Sequence, residues 1–330
     1  MSTQRELEVH SRTKTSSAVP LEVIAELIES EVGLIQREPD GIFFDGTVGT
    51  THIVVTPVDV DTIDRNKVAN IVSIVTELPE LPIPSTDQAL VAYNMGAGFS
   101  AAIRDEEIGC IQLVNRLSCF EDDDEAWRLY VPMIVFAAMY QSDTFVKFLA
   151  QQLIKSDADP ESVFAKVVEP SRWGAADFEL TQVQLDKFGV FANGGEGGLT
   201  AEFPWDAGAV SSMDWLASGG ERKRTSLLTL TTTESHPCLG NGLFCRLVLP
   251  ISYSFEEAAE VVHCLNQLEL AAIDAPPFFG AWCVCPSSGM PTFVCFWPNM
   301  LYAPGTSTNI AVWMGHRSRI AKMWLEDGGN

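Results

Sequence analysis

Histidine and cysteine side chains that could bind a metal occur together in the C-terminal half of the sequence. His236 and Cys238 lie near an apolar run, and Cys283 and Cys285 form a close thiol pair. Structural zinc sites usually take two cysteines from a turn. Cys283 and Cys285 alternate instead along a predicted strand, which places both among core groups. The spacing therefore disfavours zinc, and the sequence predicts neither a metal nor a cofactor.

Nucleophilic catalysis requires a cysteine or serine beside a histidine that a third group orients. His263 is next to Cys264, but neighbours on a helix point about 100° apart. His52 and His316 are typical of exposed or core-edge histidines. We therefore predict that the chain is not an enzyme and has no catalytic residues.

Three charged or glycine-rich segments have structural interpretations. The glycines of 193–198 match no phosphate-binding motif and predict a turn. The acidic run 121–125 precedes a predicted helix, where negative charge favours the helix dipole more readily than a bound cation. The basic cluster 222–224 could bind an anion or attract a modifying enzyme, but on so acidic a chain it is typical of a solvated loop.

Aromatic and methionine side chains cluster around a Gly-, Ser- and Ala-rich segment in the second half. Trp205 and Trp215 flank this segment, and Phe203 and Met213 accompany them. Aromatic side chains are frequent anchors of protein interfaces. We therefore predict an exposed partner-binding surface formed by Phe203, Trp205, Met213 and Trp215.

The net charge of −23 over 330 residues excludes some partner classes. Such a field repels nucleic acids and anionic membranes, whereas a basic peptide is compatible with it. No apolar stretch is long enough for a membrane span or a signal peptide, so we expect a cytoplasmic protein with no membrane association. The eight cysteines are then expected to be reduced and mostly buried.

Apolar spacing predicts the elements that would position these residues. A loose tail over 1–17 precedes a helix with Leu21, Ile24, Leu27, Ile28 and Ile35 on one face. Short strands follow at 42–44 and 53–55. A second helix is predicted from Asp64 to Leu78, and a third begins at Ser254 with Glu257 as its capping-box partner. The last two patterns are 190 positions apart, which indicates an internal repeat.

A second offset supports the duplication. The segment from Thr181 matches that from Leu21, and Gly198 matches Gly41 at an offset of 157 (198 minus 41). We therefore predict an inserted loop at about 206–224. Helices are predicted at 124–154 and 306–325, with a hairpin turn at 96–98. The expected organisation is a first α+β module over 18–154, a linker over 155–176 and a second module over 177–330.

Several motifs in the second half carry a family resemblance. FGAWCVC, FVCFWPNMLYAPG and NIAVWMGHRSRIA, preceded by TQVQLDKFGVF and GGLTAEF, resemble the bacterial YbjN-type family. The resemblance covers most of residues 178–325, and the first half lacks a counterpart of PNMLYAPG. It implies tandem type III secretion chaperone-like modules, each an antiparallel sheet packed with helices. It also implies a dimer, or a pseudo-dimer within one chain, that holds client polypeptides.

The predicted function is non-enzymatic binding of a polypeptide, with chaperone-like character. One alternative is a structural subunit of a larger assembly, as a monomeric pseudo-dimer or a homodimer. Another is an enzyme or small-molecule sensor with a site between the halves, where pockets often form.

Overall fold

The computed structural model describes most of the chain between residues 21 and 326. The described ranges are 21–46, 49–57, 68–78, 86–97, 99–105, 109–120, 130–140, 170–205, 224–236, 239–272, 275–285 and 287–326. The predicted tail, the predicted insertion and most of the predicted linker lie outside these ranges.

The first module begins with a helix that packs on an antiparallel sheet. Its elements are α1 (Leu21–Val32), β1 (Gln36–Arg37), β2 (Gly41–Asp45), β3 (Thr50–Pro57), β4 (Val68–Leu78), α2 (Thr86–Ala97), β5 (Ala101–Arg104), β6 (Ile111–Phe120) and α3 (130–140). The six strands lie in the order β1-β2-β3-β4-β6-β5, and each neighbouring pair is antiparallel.

The second module repeats this order of elements. It consists of α4 (Ala175–Lys187), β7 (Phe191–Gly195), β8 (Gly198–Pro204), β9 (Thr225–Thr231), β10 (Gly242–Val248), α5 (Phe255–Ala271), β11 (Ala281–Val284), β12 (Pro291–Pro298) and α6 (Thr306–Glu326). Its sheet order, β7-β8-β9-β10-β12-β11, is that of the first module strand for strand. An α+β fold with two similar modules is therefore confirmed.

The strand registers give the true alignment of the two halves. Ala101 pairs with Val114 in the first module, and Ala281 pairs with Val294 in the second, so this hairpin repeats at an offset of 180 (281 minus 101). The offset of 157 is also present, because Arg37 pairs with Ile42 as Gly194 pairs with Leu199. The predicted offset of 190 is wrong, since it matched elements of different kinds.

The element responsible for that error is β4, which the apolar spacing predicted to be a helix. Asn70, Val72, Ile74, Thr76 and Leu78 are buried, every second residue, as on the inner face of a strand. Because Ile71 and Val75 between them are also apolar and β-branched, a helical spacing can be picked out of the same segment. The β-branched content favours the strand.

Two other helix and turn assignments have mixed outcomes. The third predicted helix is correct: the Ser254 hydroxyl accepts a hydrogen bond from the Glu257 backbone, and the Glu257 carboxylate accepts one from the Ser254 backbone, which caps α5. The hairpin turn predicted at 96–98 is wrong because Thr86–Ala97 forms α2. Its apolar residues are only weakly grouped at the three- and four-residue spacing that indicates a helix.

The inner faces of both sheets contribute to one apolar cluster. Ile53 and Ile74 of the first sheet, Leu230 and Leu247 of the second, and Ile310 of α6 are all members of it. Burial of this kind stabilises a fold by about 25 cal/mol for each Å² of apolar surface removed from water. The two modules therefore share a continuous core.

The junction between the modules combines one contact between equivalent residues with hydrogen bonds between non-equivalent ones. The rings of Phe99 and Phe279, which precede β5 and β11 at the 180 offset, lie 5.4 Å apart. The backbones of Arg116 and Phe278 exchange two hydrogen bonds, and the buried Arg116 guanidinium donates to the carbonyls of Ala275 and Pro276. Ring contacts and hydrogen bonds therefore join the two modules at this junction.

Membrane-spanning helices were searched for across the described residues. None of those helices is both long enough and apolar enough to cross a bilayer.

Candidate functional site

The predicted partner-binding aromatics are largely inside the molecule. Phe203 is 6 % exposed and Trp205 is 2 % exposed, so the expectation of an exposed surface is wrong for both. They continue the inward-facing positions of β8, where alternate residues point to the core. Gly315 makes room for Phe203, because a side chain at Gly315 would lie 2.7 Å from its ring. Met213 and Trp215 lie outside the described residues.

Trp205 is also fixed by the end of α6. Its indole nitrogen donates to the Glu326 carboxylate at 2.8 Å, and Arg224 donates to the same oxygen at 2.9 Å. These hydrogen bonds lower the pKa of Glu326, with that from Trp205 as the largest cause. Arg224, the described member of the predicted basic cluster, therefore contributes to a structural network.

The histidine and cysteine candidates are not brought together. His236 is buried against Phe296, with ring centroids 5.1 Å apart, and its Nδ1 accepts a hydrogen bond from the Leu239 backbone. Cys283 is buried in β11 and Cys285 follows the strand. No cluster of three or more potential metal ligands occurs among the residues described. Cys238 and the acidic run 121–125 lie outside them.

Cys285, which follows β11, lies in surroundings that favour its thiolate form. Hydrogen bonds from Ser287 and Ser288 lower its pKa to about 7, against the opposing effect of partial burial. Burial has the opposite outcome at Cys283, whose pKa it raises to about 12. Of these two cysteines, Cys285 is therefore the one with an appreciable thiolate fraction near neutral pH.

A buried ion pair lies beneath α6. The Arg317 guanidinium donates to both oxygens of Glu269, and the Trp282 indole donates to one of them at 3.1 Å. Both charged side chains are almost fully buried, and Arg317 also stacks on the Phe293 ring with 3.9 Å to its centroid. Because these polar groups satisfy one another inside the core, the cluster acts as a structural support.

An exposed apolar surface lies on the outer side of α4. Leu180 and Val183 are 47 % and 52 % exposed, and Phe188 at the end of the helix is 72 % exposed. Ala176, Leu180, Val183 and Lys187 follow one stripe at helical spacing. Glu179 and Asp186 lie together along one side of that stripe. We call these six residues and Phe188 the α4 surface.

The first module has a related surface on α1. Val23 and Leu27 are 42 % and 43 % exposed. The prediction that Leu27 lies on the core-facing side of its helix is therefore wrong. Glu22 and Glu29 occupy the positions of Glu179 and Asp186 at the 157 offset. The Arg37 guanidinium bridges the two, with one nitrogen 2.6 Å from Glu22 and the other 2.6 Å from Glu29.

The second module has no arginine at the equivalent position. Gly194 takes the place of Arg37, as the matching strand registers show. A side chain there is disfavoured because its Cβ would lie 2.9 Å from the Phe178 carbonyl oxygen. Across the described ranges, neither Glu179 nor Asp186 has a cationic partner. This acidic pair therefore presents two carboxylates, as α1 does, but lacks the single cation that partly neutralises them there.

The chain matches no known family model, and neither a curated protein nor a solved structure is significantly similar to it.

Proposed function

We propose that this chain is a non-enzymatic polypeptide-binding protein, and that its α4 surface holds a partner segment containing arginine and apolar residues. The observation that supports it most directly is the difference between the two modules. Arg37 occupies the acidic pair of α1 from within the chain, whereas Gly194 leaves the equivalent pair on α4 open. An arginine from a partner would complete the arrangement that the first module already contains.

The type of cation follows from the geometry in α1. A guanidinium presents several donors in a planar fork, so a single arginine reaches two carboxylates at once. A lysine ammonium is a point charge and bridges them less well. Asp186 is one methylene shorter than Glu29, so the partner's arginine would lie closer to the helix axis than Arg37 does.

The apolar part of the partner follows from the neighbouring side chains. Leu180, Val183 and Phe188 expose apolar atoms directly beside the acidic pair. Covering such side chains removes apolar area from water and strengthens the charged contacts at their edge. A segment with arginine next to leucine, phenylalanine or methionine therefore fits both features.

The charge of the whole chain favours the same partner class. A net charge of −23 attracts cationic segments over several ångströms and speeds their association. The same field disfavours nucleic acids. The proposed partner is therefore a basic, partly apolar stretch of polypeptide.

The proposal includes the chaperone-like fold that the family resemblance implies. The repeated order of helix, four strands, helix, two strands and helix accommodates a type III secretion chaperone-like module, and two such modules within one chain support a monomeric pseudo-dimer. The proposal includes a cytoplasmic location, where the free cysteines of the described residues would remain reduced. Client binding by an acidic chaperone-like protein is the function that these features support best.

Selection of random peptides displayed on phage against the purified chain tests this proposal. We expect the selected sequences to be enriched in arginine flanked by apolar residues. The Glu179→Gln/Asp186→Asn variant should bind the selected peptides about five- to tenfold more weakly, because exposed charge pairs contribute roughly 1 kcal/mol or less each. Replacing the arginine of a selected peptide by citrulline, which keeps the shape without the charge, should have the same effect.

The matched control is Glu256→Gln/Glu260→Gln, which removes two exposed carboxylates from α5 and leaves α4 unchanged. This variant should retain the wild-type affinity. The proposal is wrong if selected peptides lack arginine, or if both double variants bind them equally well.

A further inference from the structure

Two buried cysteines face each other in the middle of the second sheet. Cys245 of β10 and Cys295 of β12 are direct cross-strand partners. They are 0 % and 1 % exposed, and both belong to the apolar core. No function described so far uses them.

The sheet geometry places the two residues within reach of a disulfide. Directly opposite residues of an antiparallel pair have Cα atoms about 4.5–5.5 Å apart. Disulfides span Cα separations of about 4.4–6.8 Å. Joining the two sulfur atoms therefore requires side-chain rotation and little movement of the strands.

The two thiols differ in chemical character. Burial, together with the hydrogen bond that Cys245 makes to Cys295, raises the pKa of Cys245. Burial opposes ionisation of Cys295 as well, but the hydrogen bond from Cys245 and the nearby Arg317 charge outweigh it and lower the pKa of Cys295. These surroundings therefore favour the thiolate form at Cys295 more than at Cys245.

Among the cysteines that the structure describes as free, this is the one directly opposed cross-strand pair. The corresponding cross-strand residues of the first module are Ile74 and Asn115. Cys283 is as buried as the pair, but Thr292 lies opposite it and accepts its hydrogen bond through the backbone carbonyl. Cys283 therefore serves as an internal control.

We propose that Cys245 and Cys295 form a redox-active dithiol that hydrogen peroxide converts into a disulfide between β10 and β12. Peroxide suits this position because it is neutral and close to water in size, so a small opening of the core admits it. The Cys295 thiolate attacks one peroxide oxygen, the O–O bond breaks, and a sulfenic acid and water result after proton transfer. The Cys245 sulfur then attacks the sulfenic sulfur, releasing a second water and forming the S–S bond. Two electrons pass from the two thiols to one peroxide.

The disulfide would join β10 to β12 through two cysteines that are 50 positions apart in the chain (295 minus 245). Closing this loop restricts the unfolded chain and stabilises the folded one. The oxidised protein is therefore expected to unfold at a higher temperature, by roughly 5 °C or more. A thiol reductant should reverse the increase.

Mass spectrometry of the whole chain after peroxide treatment tests the proposal. The background variant is Cys264→Ser/Cys285→Ser, which removes an exposed thiol and the low-pKa thiol from competing reactions. We expect a product lighter by two hydrogen atoms, and a digest without reductant that yields a peptide containing both Cys245 and Cys295. Cys245→Ala and Cys295→Ala should each abolish this peptide, whereas Cys283→Ala should retain it.

The background variant alone already decides the question, so poor folding of an alanine variant does not obscure the result. Recovery of Cys245 and Cys295 as free thiols after peroxide treatment overturns the proposal. So does oxidation of Cys295 to sulfinic acid without any linked peptide. Neither outcome bears on peptide binding at the α4 surface, which is measured separately.

Discussion

Asn94 and Asn266 make the same pair of hydrogen bonds in the two modules. The Asn94 amide donates to the Ala102 carbonyl at 3.0 Å and accepts from the Ala102 backbone nitrogen at 2.7 Å. Asn266 does the same with Trp282, at 3.0 and 2.8 Å. Each asparagine is buried on the helix that precedes the last hairpin of its module. Each asparagine therefore fixes the equivalent helix–strand contact in its own module.

We predict that Asn94→Ala and Asn266→Ala each lower the free energy of unfolding by about 2–3 kcal/mol. Either change leaves a buried backbone N–H and carbonyl without their partner, which costs more than the hydrogen bonds themselves contribute. Urea unfolding followed by circular dichroism measures the change. The exposed Asn193→Ala is the control and should differ from wild type by less than about 0.5 kcal/mol. Equal stabilities of all three variants would contradict the prediction.

Much of the duplication is predictable from the sequence, including the offset of 157 at the first hairpin, but the offset of 180 at the last hairpin is not predicted. Phe99 and Phe279, and the left-handed hairpin glycines Gly109 and Gly289, recur at the offset of 180. This recurrence involves only a few single residues. The apolar spacing of Val68–Leu78 is longer and favours the offset of 190, because it is compatible with a helix until the strand partners of the segment are known.

The candidate site was less predictable than the fold. The sequence of β8 alternates between core-facing and outward-facing residues, and this alternation predicts that Phe203 and Trp205 are buried. The exposure of Leu180 and Val183 was not predictable, because their spacing is also that of a core-facing helix stripe. The open acidic pair on α4 becomes visible only when Gly194 is aligned with Arg37, and that alignment depends on strand register.

The buried ion pair gives a second stability prediction. Glu269→Gln removes the carboxylate charge and leaves the Arg317 guanidinium uncompensated in the core, so we expect a loss of about 3–5 kcal/mol. The double variant Glu269→Leu/Arg317→Leu should be more stable than the single variant, because it leaves no buried charge. Thermal and urea unfolding provide the comparison.

An exposed pair supplies the control for that experiment. Arg246 and Glu234 are 2.7 Å apart but about two-fifths exposed, with side-chain exposures of 44 % and 42 %. Glu234→Gln should therefore cost less than about 1 kcal/mol. A similar loss for Glu234→Gln and Glu269→Gln would mean that the Glu269 charge has no special role.

The two modules should unfold separately once Arg116, which lies at their junction, is replaced. Arg116→Leu removes the guanidinium that donates to the Ala275 and Pro276 carbonyls, and we expect a loss of about 2–4 kcal/mol. Tryptophan fluorescence should report mainly the second module and circular dichroism both, so the two unfolding curves should separate. The exposed Arg319→Leu should leave them coincident. Coincident curves in the Arg116 variant would show that the shared core alone couples the modules.

Cys285 and Cys110 should differ in the pH dependence of their alkylation. Hydrogen bonds from Ser287 and Ser288 lower the pKa of Cys285 to about 7, whereas burial and the charges of Glu77 and Asp105 raise the pKa of Cys110. Since the thiolate is the reactive form, the rate at Cys285 should rise through pH 7 and level off, while the rate at Cys110 should still be rising where that at Cys285 is already level. Peptide-resolved mass spectrometry after brief iodoacetamide treatment measures both sites in one sample. Ser287→Ala should move the Cys285 midpoint upward and leave Cys110 unchanged; equal midpoints in the wild-type chain would contradict the role given to the two serines.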